Sequence, residues 1–271
     1  MTPREVQCVG ERMLADYDAH TPNGIFAERG IGWLTLEDAY SVQRAVAQRR
    51  RSRGERCIGY KVGCVSPAIQ AQLGLRQPVR GYLWESEAHL SGCHLIARSY
   101  TNLAIEGEMA LRLHRDVPPG TARDADLLEC IEGWFPVIEL HNHVFRAAKP
   151  TSQELVAGNA MHAGLVAAFS AWHPAGAETL LPPEKWWGAE IQVAIDGEST
   201  APKPVGEVRN GPLGSLRWLV SALAMTDENL RAGDLALIGS PGQLIPVPAD
   251  SVVTVTCAGQ CVALFVETAG S

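Results

Sequence analysis

The chain has 271 residues, 46% of them hydrophobic and 20% charged, with a formal net charge of -7. That is ample material for a packed core, as one large domain or a core domain with an appendage. The acidic balance argues against a nucleic-acid backbone as partner, which would select a basic face. The opening "MTPREVQCVGERMLADYDAH" spreads its charges and carries no apolar run of signal-peptide type. No stretch is apolar for long enough to mark a membrane span. Seven cysteines, without a C-x-x-C pair, read as reduced thiols of a cytoplasmic protein.

In chain order, the first eighty residues read as helical. Thr35 with Asp38 three residues on is a capping-box start for "LTLEDAYSVQRAVAQRR", where Ala39, Val42, Val46 and Ala47 follow at helical spacing. The basic run "RRRSRGER" (49–56) reads as a solvated helix end. "CIGYKVGCVS" (57–66) is a strand, and "SPAIQAQLGL" is a short helix opened by Pro67. Beyond residue 80 strands are expected at 81–85, 103–114, 135–145, 189–196, 234–239, 251–257 and 261–267.

Asp196-Gly197 signals a hairpin, and "GPLGSLRWLVSALAM" (211–225) a helix led by Pro212. The segments 115–125 and 173–187 read as loops, and Cys257 and Cys261 as core fillers around the last turn. Mostly antiparallel strands with few helices predict an α+β fold. The expected division is an N-terminal helical region over 1–80 and a β-rich domain over 81–271.

Three places carry chemistry. In "LAIEGEMALRL" (103–113), Glu106 and Glu108 share one face of a strand, about 6.8 Å apart at roughly 3.4 Å rise per residue. Like charges at that spacing need a solvated face or a compensating cation. In "WFPVIELHNHVF" (134–145) the apolar residues occupy both faces, so Glu139 is a buried carboxylate that has to be paired, protonated or on a metal. His141 and His143 share its parity. Three carboxylates favour Mg²⁺ or Mn²⁺, while the imidazoles would also suit zinc or iron. In "GYKVG", Lys61 sits among apolar residues; burial is expected to lower its pKa and fit it for acid–base work. The alternative is a lysine snorkelling at a strand end.

"LTLEDAYSVQ", "GYKVG", "EGEMAL" and "VIEL", in this order and spacing, resemble the fumarylacetoacetate hydrolase superfamily. The branch they resemble holds 2-oxopent-4-enoate hydratase and 4-oxalocrotonate decarboxylase, and "GAEIQVAIDGE", "GPLGSLRWLV" and "LRAGDLALIGS" extend the likeness over nearly the whole chain. The resemblance implies a mixed β-roll or β-sandwich catalytic domain with an N-terminal helical region. It implies Glu106, Glu108 and Glu139 as ligands of Mg²⁺ or Mn²⁺, with Lys61 at the active site. It further implies a small 2-oxo acid substrate and assembly as a homodimer or larger oligomer, or as a complex with a homologous pathway enzyme. The chemistry implied is hydration of a 2-hydroxypenta-2,4-dienoate-like dienol or decarboxylation of a 4-oxalocrotonate-like diacid.

The chain departs from that branch around the substrate. Val79 and Arg80 follow "QP" where an acidic residue is usual, and Asn142 and His143 stand where Asp-Ser is typical. Met161 and His162 follow Asn159 and Ala160 where a serine is expected, and Ile238 replaces a threonine. Two expectations follow. One is a different 2-oxo acid, with His143 and His162 as acid–base groups beside Lys61, and Arg80, His141, Asn142 and Asn159 at the substrate. The other is an inactive partner subunit or binding protein that keeps only the fold and the metal.

Overall fold

The computed structural model describes residues 1–22, 24–29, 33–144, 150–168, 170, 180–208 and 210–268. Helices α1 (Pro3–Asp18), α2 (Ile25–Arg29) and α3 (Leu36–Ser52) come first. Thr35 closes the expected capping box: its hydroxyl accepts from Asp38 N while the Asp38 carboxylate accepts from Thr35 N. Three arginines in the last turn of α3 complement the negative end of the helix dipole.

Strand β1 (Cys57–Gly63), helix α4 (Pro67–Gln72) and strands β2 (Val79–Trp84), β3 (Ala88–Leu90) and β4 (Cys93–Ile96) lead to the long strand β5 (Leu103–Leu113). After α5 (Asp124–Leu128) come β6 (Ile131–Asn142), α6 (Ser152–Ala157) and β7 (His162–Ala167). The remainder is β8 (Glu190–Ile195), β9 (Glu198–Ser199), β10 (Lys203–Pro204), α7 (Gly211–Ala224), β11 (Leu235–Leu237), β12 (Ile245–Pro246), β13 (Ser251–Cys257) and β14 (Gln260–Glu267).

The strands form two sheets. The larger runs β2-β1-β11-β5-β6-β7-β3, with β12 added to β5; the smaller runs β10-β8-β13-β14-β4, with β9 on β8. Pairing is mostly antiparallel, with parallel contacts at β1–β11, β3–β7 and β4–β14. The Asp196-Gly197 turn joins β8 to β9, both residues at positive φ as a tight hairpin requires.

Strand β5 is buried on both faces, which disposes of the half-solvated reading of its sequence. Ile105, Met109, Leu111 and Leu113 belong to the core between the sheets. Gly107 shares that face, where a β-carbon would stand 2.8 Å from Ile191 and 2.9 Å from Val193; the sheets approach that closely there. The opposite face of the larger sheet gathers Leu83, Ala110, Phe135, Val137, Leu165 and Leu237 into a second apolar cluster. Residues from β2, β5, β6, β7 and β11 meet in it, so the sheet curls around it. Lys61, Glu106, Glu108, Glu139 and His141 continue that inner face beyond the apolar cluster.

Some expectations change in detail. Strand β6 ends at Asn142; of the stretch expected to follow, residue 145 lies outside the described residues. Residues 173–179 of the loop expected at 173–187 also lie outside them, and Pro183–Trp186 form a 3-10 turn. Cys257 is buried, but Cys261 across the last hairpin is exposed, because alternate residues of β14 face solvent. Among the described residues, no helix is long and apolar enough to cross a membrane.

Candidate active site

Antiparallel register sets Glu106 directly opposite Glu139, while Lys61 on β1 faces the same interior through the β1–β11–β5 pairing. Lys61, Glu108 and Glu139 are at most 2% exposed. The two oxygens of Glu139 have different partners. Oε1 lies 3.0 Å from Lys61 Nζ and 2.7 Å from His162 Nδ1. Oε2 lies 3.2 Å from His141 Nε2, which is also 3.2 Å from Glu106 Oε2. Those spacings are close, yet Glu139 Oε2 and His141 Nε2 make no directed hydrogen bond. We read them as groups gathered by charge rather than paired in line.

Glu108 Oε1 accepts from Gly239 N, and its Oε2 is buried without a partner. His162 donates Nδ1–H to the Glu139 carboxylate, which leaves Nε2 as an acceptor, buried and unpartnered. A cavity of about 60 Å³ adjoins it, lined by His162, Asn142 and Asn159 together with Tyr17, Tyr82 and Arg50.

The electrostatics follow from this crowding. Burial opposes the charge of Lys61, but Glu139, Glu108 and Glu106 outweigh it and raise the lysine pKa. The expected downward shift is thus reversed, because the ammonium is buried among carboxylates rather than among hydrocarbon. Burial would likewise raise Glu139, yet Lys61 and His141 hold it well below the usual carboxylate range. Glu108 is pushed well up, first by burial and then by the Glu139 charge. Burial disfavours imidazolium at His141, but the Glu139 charge carries it up to about 9.

The donor set fits a divalent cation. Glu106, Glu139 and His141 present ligand atoms within 4.8 Å of one another; Glu108 is outside that group but feels the Glu139 charge, and its Oε2 has no partner among the described residues. Buried anionic oxygens without partners are costly in an empty protein interior, and a cation supplies what they lack.

The other sequence candidates lie outside the inner cluster, although Asn142 and Asn159 share a cavity lining with His162. Arg80 is not an exposed loop residue: it is 1% exposed and pairs with Glu228 at 3.2 Å and Thr226 at 2.9 Å. It projects from the face of β2 opposite Lys61, because Arg80 pairs with Val62 and Gly81 with Lys61. Asn142 Oδ1 accepts from Thr101 N and Asn102 N, which pins the loop ahead of β5. Asn159 exchanges two hydrogen bonds with the Tyr82 backbone, extending the edge of β2. His143 follows the end of β6, where its backbone exchanges hydrogen bonds with Asn102.

Two features escaped the sequence. Asn159, Ala160 and Met161 all have positive φ, a strained run that turns the chain so that His162 enters β7 facing Glu139. Nothing in "GNAMHAG" announces three left-handed residues; only Asn159 is a residue type that favours them. Gly81 is the second: a β-carbon there would stand 2.8 Å from Asn159 O, so glycine lets that run lie against β2.

Comparison with known proteins gives the family of the chain. The family model for fumarylacetoacetate (FAA) hydrolase C-terminal matches residues 74–265. The chain belongs to that family. Among its relatives, the 2-keto-4-pentenoate hydratase of Burkholderia vietnamiensis is 30% identical over 211 residues, covering 78% of each chain. The TodF product hydratase of Pseudomonas putida is also 30% identical, over 84% of this chain and 83% of its own. In fold, the chain matches 4-oxalocrotonate decarboxylase from Pseudomonas putida G7, whose structure is complexed with magnesium and adipate. The TM-score is 0.88 at 21% identity, and the match covers 98% of both chains. Lys61 lies ahead of the matched family segment, yet it meets the carboxylates of that segment in space.

Proposed function

We propose that this member of the family is a divalent-metal-dependent lyase that hydrates a 2-hydroxypenta-2,4-dienoate-like dienol or a close 2-oxo acid. The observation that carries the reading is the Lys61–Glu139–His162 arrangement beside carboxylate oxygens that no group among the described residues satisfies. The hydratase names of relatives at about 30% identity support the same class of chemistry.

Glu106, Glu108 and Glu139 would hold the cation, Mg²⁺ or Mn²⁺. Bound there, it supplies Lewis acidity toward the carboxylate and 2-oxygen of a 2-oxo acid. Lys61, kept protonated by three carboxylates, is a proton donor and a fixed positive charge where an enolate develops. His162 keeps Nε2 as a proton acceptor, its Nδ1–H being held by Glu139, and the residue is part of the cavity lining. Dienol ketonisation needs a proton delivered to carbon, and hydration needs one removed from water. Lys61 and His162 divide those tasks. Residues 1–80 and 81–271 work as one unit on this reading, the first contributing Lys61 and the second the carboxylates. Assembly as a homodimer or larger oligomer belongs to the same reading, and light scattering measures it.

The test uses chelator-stripped protein given 2-hydroxypenta-2,4-dienoate, with Mg²⁺ or Mn²⁺ restored. Loss of dienol absorbance only with metal supports hydration. CO₂ release from 4-oxalocrotonate instead reassigns the protein to decarboxylation. Bound metal without turnover of either substrate overturns both.

A further inference from the structure

The histidine at 141 calls for an explanation of its own. It is 4% exposed, and its register on β6 puts it on the inner face beside Glu139 rather than toward the core between the sheets. A residue on that face with no chemical task would be expected to resemble Val137 and Phe135, the apolar positions that precede it at the same parity. Among the described residues neither of its nitrogens makes a directed hydrogen bond, and Nε2 has the Glu106 and Glu139 carboxylates beside it.

The spacing identifies the task. Ligands at neighbouring positions around a cation, each about 2.1 Å from it, stand roughly 3.0–3.4 Å from one another. His141 Nε2 lies 3.2 Å from Glu106 Oε2 and 3.2 Å from Glu139 Oε2. Glu139 Oε1 is already occupied by Lys61 and His162, so Oε2 is the oxygen left to face a cation. One oxygen from each of two carboxylates and one imidazole nitrogen thus lie within 4.8 Å of one another on two adjacent strands.

We propose that His141 Nε2 is a direct metal ligand alongside Glu106 and Glu139. The site then selects a transition-series cation such as Mn²⁺, Fe²⁺ or Zn²⁺ over Mg²⁺. The selectivity follows from ligand chemistry: an imidazole nitrogen binds first-row transition ions well, whereas Mg²⁺ gains little from replacing an oxygen by nitrogen. Glu108, tied to Gly239, remains outside that set. This assigns His141 to the metal rather than to the substrate.

The inference rests on the metal-dependent reading of the same site, but metal binding tests it without substrate. Purified protein is stripped with chelator and titrated with Mn²⁺, followed by electron paramagnetic resonance with detection of nitrogen hyperfine coupling, and separately with Mg²⁺ by calorimetry. The native protein is expected to show directly bound ¹⁴N. His141→Val is expected to lose that coupling and to weaken Mn²⁺ binding by about tenfold or more, with Mg²⁺ binding changed by less than about threefold. Absence of nitrogen coupling in the native protein, with Mn²⁺ bound in a manner that Glu106→Gln abolishes, overturns the proposal and needs no His141 variant. Persistence of the coupling in His141→Val also overturns it, since another imidazole is then the ligand. So does tighter Mn²⁺ binding in that variant, which would mean that His141 serves as an imidazolium clamped between two carboxylates in the cation's place. Nitrogen coupling without dienol turnover leaves the inference standing and defeats only the proposed reaction; turnover without coupling does the reverse.

Discussion

Two buried polar clusters lie on opposite faces of β1, one residue apart in sequence. Lys61 points into the inner cluster with the three glutamates; Tyr60 points into the outer one, where Tyr82, Arg80 and Glu228 meet. In the outer cluster Glu228 accepts from Tyr82 and pairs with Arg80, and the Arg80 guanidinium lies over the rings of Tyr40 and Tyr82. In the inner cluster Glu108 Oε2, Glu139 Oε2, His141 Nε2 and His162 Nε2 have no directed partner. Burial and charge are common to both. Among the described residues the outer cluster leaves Arg80 Nη1 without a partner, so the contrast is one of degree: more polar atoms of the inner cluster are left for a cation or a substrate.

The largest contrast should come from Lys61→Ala. Turnover is expected to fall about 10²–10⁴-fold, while near-ultraviolet circular dichroism stays native. A loss below threefold would remove the inner cluster from catalysis. The mirror experiment is Glu228→Ala, expected to cost about 3 kcal/mol in denaturant unfolding by leaving Arg80 buried without its counter-charge. Turnover per folded molecule should stay at the native level; a matching drop would show that the two faces act together.

Asn159→Ala probes the link between the clusters, because Asn159 binds the Tyr82 backbone on one side and leads to His162 on the other. Two lost hydrogen bonds should cost about 2 kcal/mol, measured by urea midpoint. Unchanged stability would mean that the left-handed run holds itself in place. The smallest effect is a control on a half-buried carboxylate outside both clusters. Burial raises Asp234 to about 6, from an ordinary 3.8. The folded state therefore takes up a proton between those values, and its stability rises as pH falls through about 6 toward 4. Asp234→Asn should then stabilise the protein by about 1–2 kcal/mol at pH 8 and by nothing measurable near pH 4. Equal effects at both pH values would contradict the raised pKa.

Much of the inner cluster could be read from sequence because its signals are local. Glu106 and Glu108 show their shared face through their spacing, and Glu139 stands out as a charge in a strand apolar on both faces. Arg80 was illegible because its partner Glu228 is distant in sequence and joins it only when the segment after α7 packs against β2. Strand β7 was missed because "HAGLVA" has small residues where alternation would have been the cue. The raised pKa of Lys61 depends on how many carboxylates surround it, and periodicity gives position but no count of neighbours.

The parallel pairing of β1 with β11 matters for the order of events during synthesis. Gly59, Tyr60 and Lys61 pair with Leu235, Ala236 and Leu237, so β1 takes its place next to β5 only through a strand made long after it. Closing so long a loop is slow, and contacts of this separation form late in folding. The ammonium therefore reaches the carboxylates last. Until β11 has emerged, the nascent protein has its acidic half-site but no proton donor, and a ribosome-bound fragment ending before residue 235 should be inert.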